Sequence, residues 1–213
     1  IGMVTSAVFT DINNDSWPDL VLAGEWMPQT VFINNKGSFT SRPLEGSTGL
    51  WQTLYPADVN GDGFMDILAG NWGLNNKFVS GKNGPLKLYV KDFDKNGSTE
   101  QVMAYTIDGK EYTFLAKDEL ERSLPVLKKA YLNYSDVAGK TVSYIFYDLF
   151  NNYRELKAEQ LGSSCFINDG KGNYVRTTLP ASLQMAPLMS FASIPGNNLQ
   201  FITGGNFYGV VPY

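Results

Sequence analysis

The chain has 213 residues, 43 % hydrophobic and 18 % charged, with 21 glycines, one cysteine and no histidine, the composition of an ordered globular protein rather than a disordered segment. Without histidine there is no Ser-His-Asp or Cys-His catalysis, HExxH zinc site or imidazole proton shuttle, and the lone Cys165 excludes an intrachain disulfide and a cysteine-rich zinc cluster. A formal net charge of −4 with no Lys/Arg run makes nucleic acid and anionic membranes poor partners, and no apolar stretch approaches the roughly 18 residues that span a bilayer.

The chain opens at Ile1-Gly2-Met3-Val4 in what reads as a strand, without a basic and apolar leader, which points to a mature or excised piece of something longer. Loop 1 follows, Asp11-Ile-Asn13-Asn-Asp15-Ser-Trp17-Pro-Asp19, running into Leu20-Val-Leu-Ala23 and Gly24-Glu25-Trp26. Next comes a hairpin, Thr30-Val-Phe-Ile-Asn34-Asn35-Lys-Gly37-Ser-Phe39, whose Asn/Gly cluster tolerates positive φ between two apolar runs. Loop 2, Asp58-Val-Asn60-Gly-Asp62-Gly-Phe64-Met-Asp66, aligns with loop 1 over nine residues without a gap and leads into Ile67-Leu-Ala69 and Gly70-Asn71-Trp72. Loop 3, Asp92-Phe-Asp94-Lys-Asn96-Gly-Ser98-Thr-Glu100, keeps the acidic spacing.

Between 114 and 160 the texture changes. Leu120, Leu124, Leu127 and Tyr131 fall on one helical face, with Ser123 before Leu124-Pro125, then Asp136 and Thr141, as expected N-caps of two or three short helices. Their mixed charges, such as Lys117, Glu121 and Lys129, form a solvated face. The hairpin pattern then returns as Ser164-Cys-Phe-Ile-Asn168-Asp169-Gly170-Lys-Gly172-Asn-Tyr174, and Ser193-Ile-Pro195-Gly196-Asn197-Asn198 reads as a degenerate copy of the loop that has lost its acids.

A loop between paired strands, followed by a second strand pair, is the grammar of a propeller blade. The expected fold is all-β, a partial β-propeller of three to four blades over 1–213, with a small α-helical insertion at 114–160. Because a closed propeller needs about four to eight four-stranded blades, the rest would come from a larger propeller or a neighbour.

Acids or amides at positions 1, 3, 5 and 9 of a tight loop set hard oxygens around one point, which suits calcium, an ion that takes 6–8 oxygen ligands. The expected ligands are Asp11, Asn13, Asp15, the Trp17 carbonyl and Asp19; Asp58, Asn60, Asp62, the Phe64 carbonyl and Asp66; and Asp92, Asp94, Asn96, the Ser98 carbonyl and Glu100. Up to three Ca2+ would bind. Closure at position 9 with strands on both sides separates these loops from an EF-hand, and a cage supplied by the chain argues against magnesium. Gly63 permits the sharp turn at position 6, where loop 1 has Ser16, so either a side chain enters a costly backbone region or that turn differs. The loops hold nine of the 21 carboxylates, a local repulsion that a divalent ion relieves. Extracellular calcium modules bind at about 10⁻⁴–10⁻³ M, which favours an exported setting.

At these loops the chain resembles the FG-GAP / VCBS repeat family of integrin-α-like propellers. The fuller pattern, including Gly70-Asn71-Trp72-Gly73-Leu74-Asn75, Gly109-Lys110-Glu111-Tyr112 and Gly205-Asn206-Phe207-Tyr208-Gly209, is similar to bacterial outer-surface VCBS-repeat lipoproteins. The resemblance implies a propeller, calcium dependence and a cell-surface, outer-membrane-associated location. It implies no substrate.

The favoured expectation is therefore a noncatalytic binding or scaffold module for a glycan or surface protein. Trp17, Trp26, Trp51, Trp72 and Tyr208 are sugar-stacking candidates, although packing between blades is the commoner use of such rings. An enzyme, such as a calcium-assisted polysaccharide lyase or hydrolase, would need an acid/base pair beyond the cation ligands; Glu25, Glu111, Tyr112, Asp118 and Glu155 are available, but no spacing isolates a pair. A third reading is an accessory subunit of an outer-membrane nutrient-import complex, docked through the helical insertion. Asn96-Gly-Ser98 and Asn133-Tyr-Ser135 fit the glycosylation pattern by coincidence.

Overall fold

A computed structural model describes residues 2–78, 83–196 and 199–205; Asn197, Asn198 and the segment with Tyr208 lie outside them. Strands hold 43 % of the residues and helices 14 %, so the chain is all-β with a small helical part. It divides into two compact units, one made of Ile1–Asn76 with Ala158–Tyr213 and the other of Lys77–Lys157.

In the first unit, β1 (Met3–Thr10), β2 (Asp19–Met27), β3 (Thr30–Asn35) and β4 (Ser38–Pro43) form an antiparallel meander, with β5 (Gly49–Leu50) added to β2. A second sheet starts with β6 (Thr53–Ala57) and β7 (Asp66–Gly70). The chain then enters the second unit, where β8 (Leu86–Lys91), β9 (Glu100–Ile107) and β10 (Lys110–Thr113) precede three short helices, α1 (Lys117–Ser123), α2 (Pro125–Ala130) and α3 (Val142–Phe146). The strand β11 (Arg154–Ala158) closes that sheet in the order β10-β9-β8-β11. On its return the chain forms β12 (Ser164–Asn168) and β13 (Tyr174–Thr178), which complete the second sheet as β13-β12-β7-β6. The pair β14 (Ser190–Ile194) and β15 (Gln200–Gly204) ends the described chain.

The second blade is thus split, with its inner and outer strand pairs separated by the second unit. The texture change at 114–160 marks the helices, but the compact unit that contains them starts at Lys77 and includes loop 3 with its own sheet.

Alternation places Val21, Ala23, Val31, Ile67, Ala69 and Phe166 in the core between the first two sheets, around the fully buried Trp51. Trp51 meets Phe166 edge-on at 5.6 Å and donates its indole N–H to the Ser47 carbonyl at 2.6 Å. On the next layer, Tyr55 of β6 packs edge-on against Phe201 at 5.7 Å. In the second unit Leu120, Leu124 and Leu127 bury the expected helical face against Tyr89, Phe93, Val102 and Ala104, with Tyr131 packed at the margin.

Two of the three expected caps are corrected. Leu124, not Ser123, is the N-cap of α2, because Pro125 takes the first helical position and keeps its predecessor out of the helical region. Asp136 lies inside a 3-10 turn capped by Asn133, whose N–H its carboxylate accepts at 2.8 Å. Thr141 caps α3 as expected, accepting the Tyr144 N–H.

Candidate metal centres

The same strand register frames all three loops. Thr10 pairs with Asp19, Ala57 with Asp66, and Lys91 with Glu100, so position 9 is always the first residue of the returning strand. The fourth copy differs: Ile194 pairs with Gln200, which leaves a shorter connection that cannot hold a nine-residue cage.

Each loop enters the left-handed backbone region twice. At position 4, Asn14, Gly61 and Lys95 have φ of 58°, 78° and 61°; at position 6, Ser16, Gly63 and Gly97 have φ of 70°, 87° and 91°. A side chain there costs roughly 1–2 kcal/mol. Loop 2 meets the requirement with two glycines, loop 3 with one and loop 1 with none, so Ser16 does occupy the costly region.

These conformations aim backbone N–H groups inward at side-chain oxygens. Asp11 accepts the Asp15 and Ser16 N–H groups at 3.1 and 2.8 Å, Asn13 Oδ1 accepts the Asp15 N–H at 3.1 Å, and Asp15 accepts the Trp17 N–H at 2.8 Å. Loop 2 repeats the set: Asp58 accepts from Asp62 and Gly63 at 3.1 and 2.9 Å, Asn60 from Asp62 at 3.1 Å, and Asp62 from Phe64 at 2.9 Å. In loop 3 Asp92 accepts from Asn96 and Gly97 at 3.0 and 2.9 Å, Asp94 from Asn96 at 3.2 Å, and Asn96 from Ser98 at 2.7 Å.

The acid at position 9 brackets each loop from the far side by accepting the position-2 N–H. The donors are Ile12 to Asp19 at 2.9 Å, Val59 to Asp66 at 2.9 Å and Phe93 to Glu100 at 2.8 Å. Asp19 and Asp66 are fully buried, and their second oxygens accept the N–H groups of Asn34 and Asn168, each at 2.8 Å. These two asparagines occupy the same position in the repeated hairpins. The hairpin repeat is visible in the sequence, but its support of the closing acids is a matter of tertiary pairing.

The expected side-chain ligands therefore sit in braced turns, each accepting backbone N–H groups of its own loop. Among the described residues, loop 3 alone brings three acidic ligand atoms, from Asp92, Asp94 and Glu100, within 4.8 Å of one another. Its acids stand at positions 1, 3 and 9 rather than 1, 5 and 9, and Glu100 reaches one methylene further than Asp. An ionised carboxylate has about four lone-pair sites, more than these N–H groups consume. The donor set of hard, anionic oxygens fits calcium rather than a thiolate- or imidazole-seeking metal.

Outside the loops, Glu111 and Glu155 converge on Lys87 at 2.6 and 3.3 Å, and Tyr89 donates its hydroxyl to Glu111. Burial pushes Lys87 down, but the two carboxylates outweigh it and its pKa is raised; burial and then Glu111 raise that of Tyr89. Glu25 accepts from Gln52 at 2.8 Å, and Asp118 accepts from the Tyr134 hydroxyl. Of the candidate stacking rings, Trp51 is core, whereas Trp17 at position 7 of loop 1 is 43 % exposed.

Comparison with curated proteins and with solved structures returns no match. A scan against protein-family models matches residues 11–69 to the FG-GAP-like repeat, from the first position of loop 1 to the penultimate residue of β7. Together with the shared register and loop geometry, this match identifies the chain as one that carries an FG-GAP-like repeat.

Proposed function

We propose that the chain is a noncatalytic, calcium-binding propeller module of a bacterial cell-surface protein, acting as a scaffold or as a binder of a glycan or surface protein. The observation that carries this reading is the threefold recurrence, in one strand register, of a nine-residue turn with acids or amides at positions 1, 3, 5 and 9. Turn chemistry alone asks for an Asx residue at one or two positions. It does not ask for acids or amides at 1, 3, 5 and 9 together. A cation would neutralise those acids and tie position 9 to positions 1, 3 and 5, holding each returning strand in register. The exposed Trp17 of loop 1 then suits contact with a partner.

Calorimetric titration of the whole chain with calcium, alongside turnover assays on a panel of polysaccharides, tests the reading. Saturable uptake of up to three ions at extracellular concentrations, with no bond cleavage, supports it. No uptake, or cleavage, overturns it.

A second reading, docking to an outer-membrane transporter, draws on one observation. The apolar face of Leu120, Leu124 and Leu127 is turned into its own sheet, but Leu132, Tyr134, Tyr144 and Tyr147 of the same helical segment are exposed. Co-purification abolished by Leu132→Asp would favour it over a free-standing module.

A further inference from the structure

Loops 1 and 2 are tied to each other as well as to their own strands. Asn168, fully buried, donates its backbone N–H to Asp66, the closing acid of loop 2, at 2.8 Å. Its side-chain amide donates to the Ile12 carbonyl of loop 1 at 2.8 Å and to the Met65 carbonyl of loop 2 at 3.3 Å. Ile12 in turn donates its N–H to Asp19, the closing acid of loop 1. A short relay, Asp66 to Asn168 to Ile12 to Asp19, therefore joins the two closing carboxylates.

Asn34 lacks the cross-link: its amide donates at 2.9 Å to Pro18, within loop 1. A second tie is made on the surface, where the Asn14 amide donates to the Gly63 carbonyl at 3.1 Å, joining position 4 of loop 1 to position 6 of loop 2. The Tyr174 hydroxyl, on a ring packed against the core, is buried and has no hydrogen-bond partner among the described residues. Burial is the main cause of its raised pKa, followed by the charges of Asp19 and Asp66.

We propose that loops 1 and 2 bind divalent cations as a coupled pair, with Asn168 and Asn14 as the positioning residues that carry the coupling, while loop 3 binds on its own. The inference rests on the calcium reading above. A cation that draws Asp66 and the position-6 turn of loop 2 into one geometry fixes Asn168 and Gly63, and through them Ile12 and Asn14. Part of the ordering that loop 1 requires is then already complete when its own ion arrives. The bonds made by Asn168 and Asn14 run between loops 1 and 2, whereas loop 3 belongs to the other compact unit.

Terbium, a calcium-sized probe ion excited through tryptophan, reads loop 1 selectively, since position 7 is Trp17 there but Phe64 and Ser98 in the other loops; Trp17→Phe supplies the blank. Disabling loop 2 with Asp62→Ala should weaken terbium binding at loop 1 at least about fivefold, the lower end of ordinary coupling. Disabling loop 3 with Asp94→Ala should change it less than about twofold. In Asn14→Ala, whose exposed tie can be cut without disturbing the core, and in Asn168→Ser, the effect of Asp62→Ala should shrink. If Asn168→Ser does not fold, the wild-type and Asn14→Ala backgrounds decide. Saturable sites with no effect of Asp62→Ala on loop 1 would overturn the coupling and leave the calcium reading intact. Absence of saturable terbium and calcium binding at every loop would overturn both.

Discussion

The Asn168 N–H stands 2.8 Å from Asp66 Oδ1 across 102 positions of sequence, reproducing the bond that Asn34 makes to Asp19 across 15. One blade is contiguous and the other is interrupted, yet both fasten the closing acid of the loop with the first asparagine of the outer hairpin. The unit between β7 and β12 has therefore entered a repeat without altering its internal bonding.

Calcium should support the fold through loop 2. Asp62→Ala removes one expected ligand and the acceptor of the Phe64 N–H. With calcium at a hundred times its Kd the variant should lose about 2.7 kcal/mol more than in chelator, where only the hydrogen bond is missed, at about 0.5–1.5 kcal/mol. Paired thermal melts check this, and equal losses in the two conditions would count against a metal in loop 2.

Ser16→Gly should stabilise the chain. Ser16 holds φ 70° with its N–H bonded to Asp11 at 2.8 Å, a bond that glycine keeps. Relief of about 1–2 kcal/mol of backbone strain, less about 0.4–1 kcal/mol for the freer unfolded chain, leaves a gain of about 0–1.6 kcal/mol, about 0.8 kcal/mol at the midpoints. Gly63→Ser should show the opposite sign. Urea unfolding of both variants is the measurement.

Gly70→Ala should be costly because an added Cβ would lie 2.3 Å from the Leu188 carbonyl oxygen and 2.7 Å from Thr53 Cγ2. Backbone on one side and a paired strand on the other leave little room to yield. Overpacking of this kind costs about 1–3 kcal/mol, visible as a lowered denaturation midpoint with an unchanged slope.

Stability should decline in alkali. Burial, with a smaller contribution from the Asp66 charge, pushes the Cys165 thiol up to about 12, whereas an unfolded thiol ionises near 8.5. The folded state holds its proton longer, so this contribution is complete below about pH 8.5 and is lost as pH rises toward 12. Melts from pH 8 to 11 should fall more steeply for the wild type than for Cys165→Ala, and a thiol reagent at pH 8 should label Cys165 only after denaturation.

The loops were legible in the sequence because their chemistry is local: acids, amides and glycines acting on N–H groups two to five residues away leave a fixed spacing. The helical face of Leu120, Leu124 and Leu127 was legible for a similar reason, through periodicity. The role of Asn168 was not, because its partners Asp66 and Ile12 are brought to it by strand pairing that no spacing records. The placement of loop 3 was hidden for the same reason. Leu86-Lys-Leu-Tyr-Val90 reads as a blade strand in series, and only the pairing of β12 with β7 shows that the blade before it was unfinished. At Leu124, the conformational demand of Pro125 outweighed the capping preference of Ser123.

The split of the second blade also sets a timetable during synthesis. After β7 leaves the ribosome, 93 residues precede β12, about 5–20 s at about 5–20 residues per second. Throughout that interval the outer edge of a strand that ends up wholly buried, Asp66–Gly70 with its apolar run Ile67-Leu-Ala69, waits unpaired while the intervening segment emerges. Nascent chains are most open to wrong strand pairing in this window, so slowed translation between codons 71 and 163 should lower the yield of folded protein more than the same pause placed after residue 178.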